Sequence, residues 1–353
     1  MSSFLQTQDA FSSGSQSSAR FTDQFGRMLR DLRISVTDRC NFRCAYCMPR
    51  DVFGADHQFM SKNELLSYEE ISRVARIFAR AGVRKLRLTG GEPLLRADLE
   101  RLVGMLAPIP GIEDLALTTN GVLLAQQASA LRDAGLKRVT VSLDAMDAAL
   151  FREMSSSSVD VRAVFKGIEV ARRSGFSPVK INMVVRRGVN EREILPMARH
   201  FSGEGYVLRF IEYMDVGATN GWKRSEVFSL REILEILEAE FGLEEMMPSQ
   251  SGETARRYKL IKTGGEVGVV ASVTAPFCGG CTRARLTASG QLHTCLFGPG
   301  VLDLKALIRD GCSDAEILHR LSAVWRVRND RYSELRSAAN ANTVKAEMSV
   351  LGG

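Results

Sequence analysis

A chain of 353 residues exceeds what one compact core usually holds, so one large α/β domain with an appendage, or two domains, is expected. With 45% hydrophobic and 25% charged residues it has the composition of an ordinary globular protein, which excludes a disordered or fibrous chain. No run approaches the roughly 18 apolar residues of a bilayer span, the start lacks the pattern of a secretory signal, and 47 basic against 41 acidic side chains, +6 overall, suit an anionic ligand but are too diffuse to imply nucleic acid.

In chain order, residues 1–20 are rich in Ser and Gln without hydrophobic periodicity and predict a flexible tail. From Leu32 onward, short β-rich runs alternate with longer helical patterns, the arrangement of parallel strands joined by helices. Strands are expected at Leu32–Val36, Lys85–Leu88, Asp114–Leu117, Arg138–Ser142, Val179–Met183 and Val207–Ile211. Helices are expected at Tyr68–Arg80, Ala97–Leu106, Leu124–Ala134, Val161–Arg173, Glu191–Phe201 and Leu230–Glu240. After Met246 the rhythm changes to hairpin-like runs, Arg257–Ile261 and Val267–Val270, then helices Leu302–Ile308 and Asp314–Val324. Six βα units are fewer than the eight of a closed barrel. The expected fold is therefore α/β: a partial (βα)6 TIM-like barrel over 21–245, an α+β region over 246–340 and a tail over 341–353, with doubly wound topology as the alternative.

Seven cysteines in a chain without a secretory signal read as metal ligands rather than disulfides, and the expected location is cytoplasmic. Cys40, Cys44 and Cys47 form C-x3-C-x2-C directly after the first strand. Three thiolates can wrap three irons of a cubane and leave the fourth iron without a local protein ligand, open to a substrate or cofactor. A zinc knuckle completed by His57 is the bland alternative. Cys278, Cys281 and Cys295 form a second trio, for which zinc with His293 or Cys312 as fourth ligand and an iron–sulfur cluster are nearly even on spacing alone.

Chemistry in a parallel barrel gathers at the C-terminal ends of strands. Polar sequences stand at five of them: Thr89-Gly90-Gly91-Glu92-Pro93, Thr118-Thr119-Asn120-Gly121, Ser142-Leu143-Asp144, Asn182-Met183 and Tyr213-Met214-Asp215. The glycines at the second strand end allow close backbone approach, and Glu92 could receive a ligand's ammonium group. Arg33, Arg87, Lys180 and Arg209 lie within strand patterns suited to burial, where an unpaired charge is costly. Salt bridges to core carboxylates are the bland reading for each alone. Four converging on one face favour a polyanion such as a nucleoside triphosphate. Arg283 and Arg285 alternate in an extended run and share a face beside the second Cys trio. No G-x4-G-K-[ST] loop is present, so a nucleotide here would be a substrate held by side-chain cations.

With Tyr46 before its last Cys, the first motif resembles the radical S-adenosylmethionine superfamily, in which S-adenosylmethionine chelates the open iron of a [4Fe-4S] cluster and is cleaved to a 5′-deoxyadenosyl radical. The segment Pro276–Thr287, with Cys295-Leu296-Phe297 and the terminal Gly352-Gly353, is similar to the GTP 3′,8-cyclase family of molybdenum cofactor biosynthesis, from about Phe25 to the C-terminus. The resemblance implies two [4Fe-4S] clusters, on Cys40, Cys44 and Cys47 and on Cys278, Cys281 and Cys295. It implies S-adenosylmethionine against Tyr46, Gly91, Ser142, Asn182 and Met214. GTP would be held by Arg33, Arg87, Thr118, Lys180, Arg209, Arg283 and Arg285, with help from Lys85, and Arg33, Gly352 and Gly353 would act at the reacting centre. It further implies a reductant protein such as flavodoxin or ferredoxin and a product passed to cyclic pyranopterin monophosphate synthase, with no nucleic acid or membrane, and leaves a homodimer open. The competing readings are another radical S-adenosylmethionine enzyme with an auxiliary cluster, such as a peptide-modifying maturase, and a non-catalytic zinc protein that binds RNA.

Overall fold

A computed structural model describes residues 21–250, 252–336 and 345–352; the predicted tail 1–20 lies outside them. Twelve strands are present among the described residues: β1 (Asp31–Ser35), β2 (Lys85–Thr89), β3 (Asp114–Thr119), β4 (Arg138–Ser142), β5 (Val179–Val185), β6 (Tyr206–Glu212), β7 (Leu243–Met246), β8 (Arg256–Leu260), β9 (Glu266–Val270), β10 (Arg283–Leu286), β11 (Gln291–His293) and β12 (Leu302–Asp303). The helices are α1 (Tyr68–Arg80), α2 (Leu99–Leu106), α3 (Leu124–Asp133), α4 (Ala148–Ser155), α5 (Val161–Arg173), α6 (Ile194–Phe201), α7 (Leu230–Phe241), α8 (Leu304–Arg309), α9 (Asp314–Arg326) and α10 (Met348–Leu351). No described helix is long and apolar enough to cross a membrane.

One sheet runs β12-β11-β10-β1-β2-β3-β4-β5-β6-β9-β8-β7. The six predicted barrel strands form its centre. Two strands from the C-terminal region extend them in parallel, β10 beside β1 and β9 beside β6, so eight neighbouring strands run the same way. The hairpin strands β11–β12 and β7–β8 add antiparallel edges, and the sheet does not close. The partial barrel is thus wider than its six βα units, because the second Cys region supplies staves to both sides of it.

Residue alternation explains what each face carries. Leu32, Ile34, Leu86, Leu88, Val139, Val141, Ile181, Met183, Leu208 and Phe210 are fully buried in the hydrophobic core. Burying each such side chain contributes about 1.5–3 kcal/mol. The helices complete this layer: α1 starts at a capping box between Ser67 and Glu70 and buries Ile71, Val74, Ala75 and Phe78, one helical face. The intervening strand residues turn into the barrel, and there the side chains are charged. Register sets Arg285, Arg33 and Arg87 side by side on β10, β1 and β2, with Arg283, Asp31, Lys85 and Asp114 forming the row below.

Candidate active site

The first Cys trio sits in the loop after β1. Arg43 staples it, donating from Nη1 to the carbonyls of Cys40 and Phe42 at 2.8 Å and from Nε to that of Phe53 at 2.8 Å. The loop also leans on the end of β2: Gly91 N–H donates to Thr37 O at 2.9 Å and Glu92 N–H to Arg39 O at 2.7 Å. A Cβ at Gly90 or Gly91 would overlap the Thr37 or Arg39 carbonyl, so the Gly-Gly pair is what lets the strand end touch the Cys loop. Glu92 does not face a ligand. It is buried and accepts from Thr119 Oγ1 at 2.7 Å, Asn120 N–H at 2.7 Å and Leu94 N–H at 3.0 Å, which corrects the expectation that it receives an ammonium group. His57 stands between the rings of Phe53 and Phe59, each 4.8 Å away.

Cys40, Cys44 and Cys47 open onto a cavity of about 250 Å³ that Tyr46, Gly91, Ser142, Asn182, Met214 and Gly352 also line. All five residues expected to hold S-adenosylmethionine therefore line the same cavity as the thiols. Burial pushes Cys40 up to about 11 and raises Cys44 and Cys47 further, so these thiols become anionic ligands when a metal's positive charge compensates them. The Asn182 Oδ1 is buried without a partner among the described residues, an acceptor suited to a ligand's N–H or O–H. Tyr46 donates its hydroxyl to Asp144 Oδ2 at 2.5 Å, and burial lifts Asp144 to about 6. The residues fit an open-site cluster and an organic ligand beside it.

Beneath lies a second, polar cavity of about 270 Å³, lined by Lys85, Arg138, Lys180, Asp31 and Asp114 and sharing Arg33, Arg87, Arg209 and Arg283 with the first. Lys85 and Arg138 have carboxylate partners: Lys85 lies 3.9 Å from Asp31 and 3.6 Å from Asp114, and Arg138 pairs with Asp114. Among the described residues, Arg33, Arg87, Lys180, Arg209 and Arg283 have none, which sets aside the salt-bridge reading of these strand cations. Burial, then mutual repulsion, lowers Arg87 to about 10, Arg209 to about 9 and Lys180 to about 7, and depresses Arg33 strongly. Arg87 donates to Thr118 Oγ1 at 3.1 Å, and Arg209 to Thr140 Oγ1 at 3.4 Å. Asp31, Asp114 and Glu253 on the same cavity offset this charge only in part, and such a nest of buried cations without ion-pair contacts suits a polyanion. Arg285 lines neither cavity; it is buried opposite Arg33, with its Nε unpartnered.

The second trio stands behind Phe277 and Arg283, which line the upper cavity. Burial pushes Cys281 up, but the Arg283 and Arg328 guanidiniums more than offset it and leave the thiol at about 6. Arg283 Nη2 donates to the Cys281 Sγ at 3.4 Å. Cys295 is held at about 11 by burial. Of the two candidate fourth ligands, His293 has its Nδ1 3.1 Å from Gly298 O, and Cys312 sits in the turn between α8 and α9. No three Cys, His, Asp or Glu side chains of the described residues converge on a single-ion position. The C-terminus reaches the upper cavity through α10, whose first turn is anchored by Glu347 accepting from Ala218 N–H at 2.9 Å and Thr219 Oγ1 at 2.8 Å. Gly352 adopts φ +70° against Thr89, where a Cβ would overlap the Thr89 side chain; Gly353 lies outside the described residues.

Residues 34–201 match the Radical SAM superfamily and residues 206–334 match Molybdenum Cofactor Synthesis C. The GTP 3′,8-cyclase of Acidothermus cellulolyticus is 50% identical over 319 residues, covering 89% of this chain and 88% of its own. That of Xanthomonas axonopodis pv. citri is 49% identical over 335 residues, covering 95% and 99%. The chain belongs to the GTP 3′,8-cyclase family. Streptococcus suis SuiB bound to S-adenosylmethionine shares the fold, with a TM-score of 0.54 at 14% identity over 89% of this chain and 67% of its own. Sequence reasoning about this GTP 3′,8-cyclase family member missed Arg138, Asp31 and Asp114 on the cavity floor, and it named Asp144 at a strand end without its hydrogen bond to Tyr46. Their signal was available in the first three: charged residues two positions before Ala116, Thr140 and Arg33, on the inward face.

Proposed function

We propose that the chain is a GTP 3′,8-cyclase of the radical S-adenosylmethionine class, converting GTP to (8S)-3′,8-cyclo-7,8-dihydroguanosine 5′-triphosphate, the first step of molybdopterin biosynthesis. One observation carries the reading: four of the buried cations, Arg33, Arg87, Arg209 and Arg283, line both the polar cavity and the cavity that the first Cys trio lines, so a polyanionic substrate would be held next to a radical source. Cys40, Cys44 and Cys47 would hold a [4Fe-4S] cluster, with Tyr46, Gly91, Ser142, Asn182 and Met214 against S-adenosylmethionine, and once reduced by one electron this pair would supply a 5′-deoxyadenosyl radical.

The protein's own contribution is position and exclusion. Arg33, Arg87, Lys180, Arg209 and Arg283 bind the triphosphate, and Thr118 orients the Arg87 guanidinium. Because four of these cations border both cavities, a triphosphate on them leaves the ribose facing the upper one, where C3′ and C8 must be joined. Cys278, Cys281 and Cys295 hold the second cluster on the guanine side, with Arg285 backing Arg33. Phe42, Val184, Ile211 and Val270 make the upper wall apolar and keep water from the reacting carbons. Gly352 lines the site at its C-terminal side. The reading includes a cytoplasmic enzyme, a flavodoxin or ferredoxin as reductant, cyclic pyranopterin monophosphate synthase as the consumer of the product, and a homodimer.

The test is anaerobic reconstitution followed by incubation with GTP, S-adenosylmethionine and dithionite. About eight irons per chain, 5′-deoxyadenosine and a cyclised GTP formed together are expected. Deoxyadenosine formed at the same rate without GTP overturns the substrate, and stoichiometric zinc without iron overturns both clusters.

A further inference from the structure

A buried ion triad ties the N-terminal loop to the second Cys loop. Asp23 Oδ2 receives Arg27 Nε at 2.6 Å and Arg328 Nη1 at 2.9 Å, and the three side chains are at most 2% exposed. Its other oxygen accepts the Phe25 and Arg27 backbone N–H groups at 3.0 and 2.9 Å. Both guanidiniums then reach the same short turn. Arg27 Nη1 donates to Cys278 O and Arg328 Nη1 to Cys281 O, each at 2.9 Å. Gly279 N–H, inside the turn, donates to Glu334 Oε1 at 3.1 Å. Trp325, fully buried beneath Arg328, donates its indole N–H to Arg27 O at 3.1 Å.

Cys278 and Cys281 are the two ends of that turn and two of the three thiol ligands of the second trio. Fixing both carbonyls fixes the backbone from which both thiols project. Arg328 Nε also pairs with Asp330 Oδ2 at 3.0 Å, so the two buried guanidiniums meet one buried and one partly exposed carboxylate, and Arg27 Nη2 remains without a partner among the described residues. Through their bonds to the Cys278 and Cys281 carbonyls both guanidiniums bring positive charge to the turn that carries the thiols. A thiolate-ligated cluster is anionic, and hydrogen bonds and charge around it set both its stability and its potential.

We propose that Asp23, Arg27 and Arg328 are positioning residues that preset the Cys278–Cys281 turn for the auxiliary cluster and raise that cluster's reduction potential. The inference rests on the two-cluster cyclase reading. It predicts that the turn is ordered before metal arrives, and that removing one guanidinium shifts the potential negative.

Two measurements decide it. In the metal-free wild-type chain, hydrogen exchange at the Gly279 and Cys281 amides should be protected; exchange at the rate of a free peptide overturns the presetting. Second, the Cys40→Ala, Cys44→Ala, Cys47→Ala background leaves only the auxiliary site, and an EPR redox titration follows its cluster. Arg328→Met in that background should lower iron occupancy and shift the midpoint negative, with Arg328→Lys restoring most of the potential. Unchanged iron and an unchanged midpoint in Arg328→Met overturn the proposal. A chain that no longer melts cooperatively on Arg328→Lys also overturns it, since the triad would then hold the fold rather than the turn. If the background without Arg328 changes takes up no iron, the second-cluster reading fails and the potential argument with it, while the exchange result still decides the presetting.

Discussion

Lys180 is held at about 7 by burial and by Arg209 beside it, so near neutral pH it carries only part of a charge. A bound triphosphate favours the charged form and drives its pKa back up. At pH 8 GTP binding therefore takes up a proton, and affinity falls as pH rises from 7 to 9, by at most about tenfold per pH unit. Calorimetry in two buffers of different ionisation enthalpy measures this; affinity that rises with pH, or no proton uptake, contradicts it, and Lys180→Met should flatten the profile. Gly91 makes a second prediction by space alone. Gly91→Ala must push the β2 end off the Arg39 carbonyl, and with it the Cys40–Cys47 loop, so iron should drop by about half while the second cluster stays. At this scale the thiols and the strand cations were legible because their chemistry is costly anywhere but a site. Glu92 was not, because what saturates it, Thr119 and Asn120, comes from the neighbouring strand end and no local pattern announces the contact.

Among the elements, the long periodic ones were legible and the short ones were not. The face of α1 repeats over 13 residues, and its Ser67–Glu70 capping box marks the start; Ser67→Ala should cost about 1 kcal/mol in chemical denaturation. By contrast β11 and β12 have three and two residues, too few for alternation to declare itself, and α4 is an eight-residue helix set between two loops. What the sequence pattern could not show is that β9 and β10 are staves of the barrel. They cover the edges of β6 and β1 that would otherwise offer unpaired backbone. A fragment of residues 21–245 loses both strands and the buried Ile317, Leu321 and Trp325 of α9. Such a fragment should bind a hydrophobic dye and lack a cooperative melt; a sharp transition near that of the full chain would show the six-strand barrel to be self-sufficient.

For the molecule as a whole, the +6 charge matters less than where its cations are buried. Lys180 at about 7 and Arg209 at about 9 stand well below their ordinary values, and each unit of such a shift corresponds to about 1.4 kcal/mol of charging penalty. Burial, more than repulsion, disfavours the charged forms of these cations in the ligand-free barrel, and a polyanion held among them as proposed would favour those forms, so stability and binding are coupled in opposite directions. Arg209→Met separates the two possible origins of a buried arginine. Removing one partner of a structural ion pair strands the other charge and costs about 3–5 kcal/mol. Arg209 has no carboxylate in ion-pair contact among the described residues, Glu253 and Glu266 acting on it only from farther off, and its removal lowers the repulsion felt by Arg87 and Lys180. The ligand-free Arg209→Met chain should melt higher than wild type, by a few degrees. Wild type should gain stability on adding GTP and the variant should gain much less, both read by scanning calorimetry at low salt, where the repulsion is least screened. A variant that melts lower without ligand, yet gains as much from GTP as wild type, would make Arg209 a structural cation and remove it from the triphosphate site.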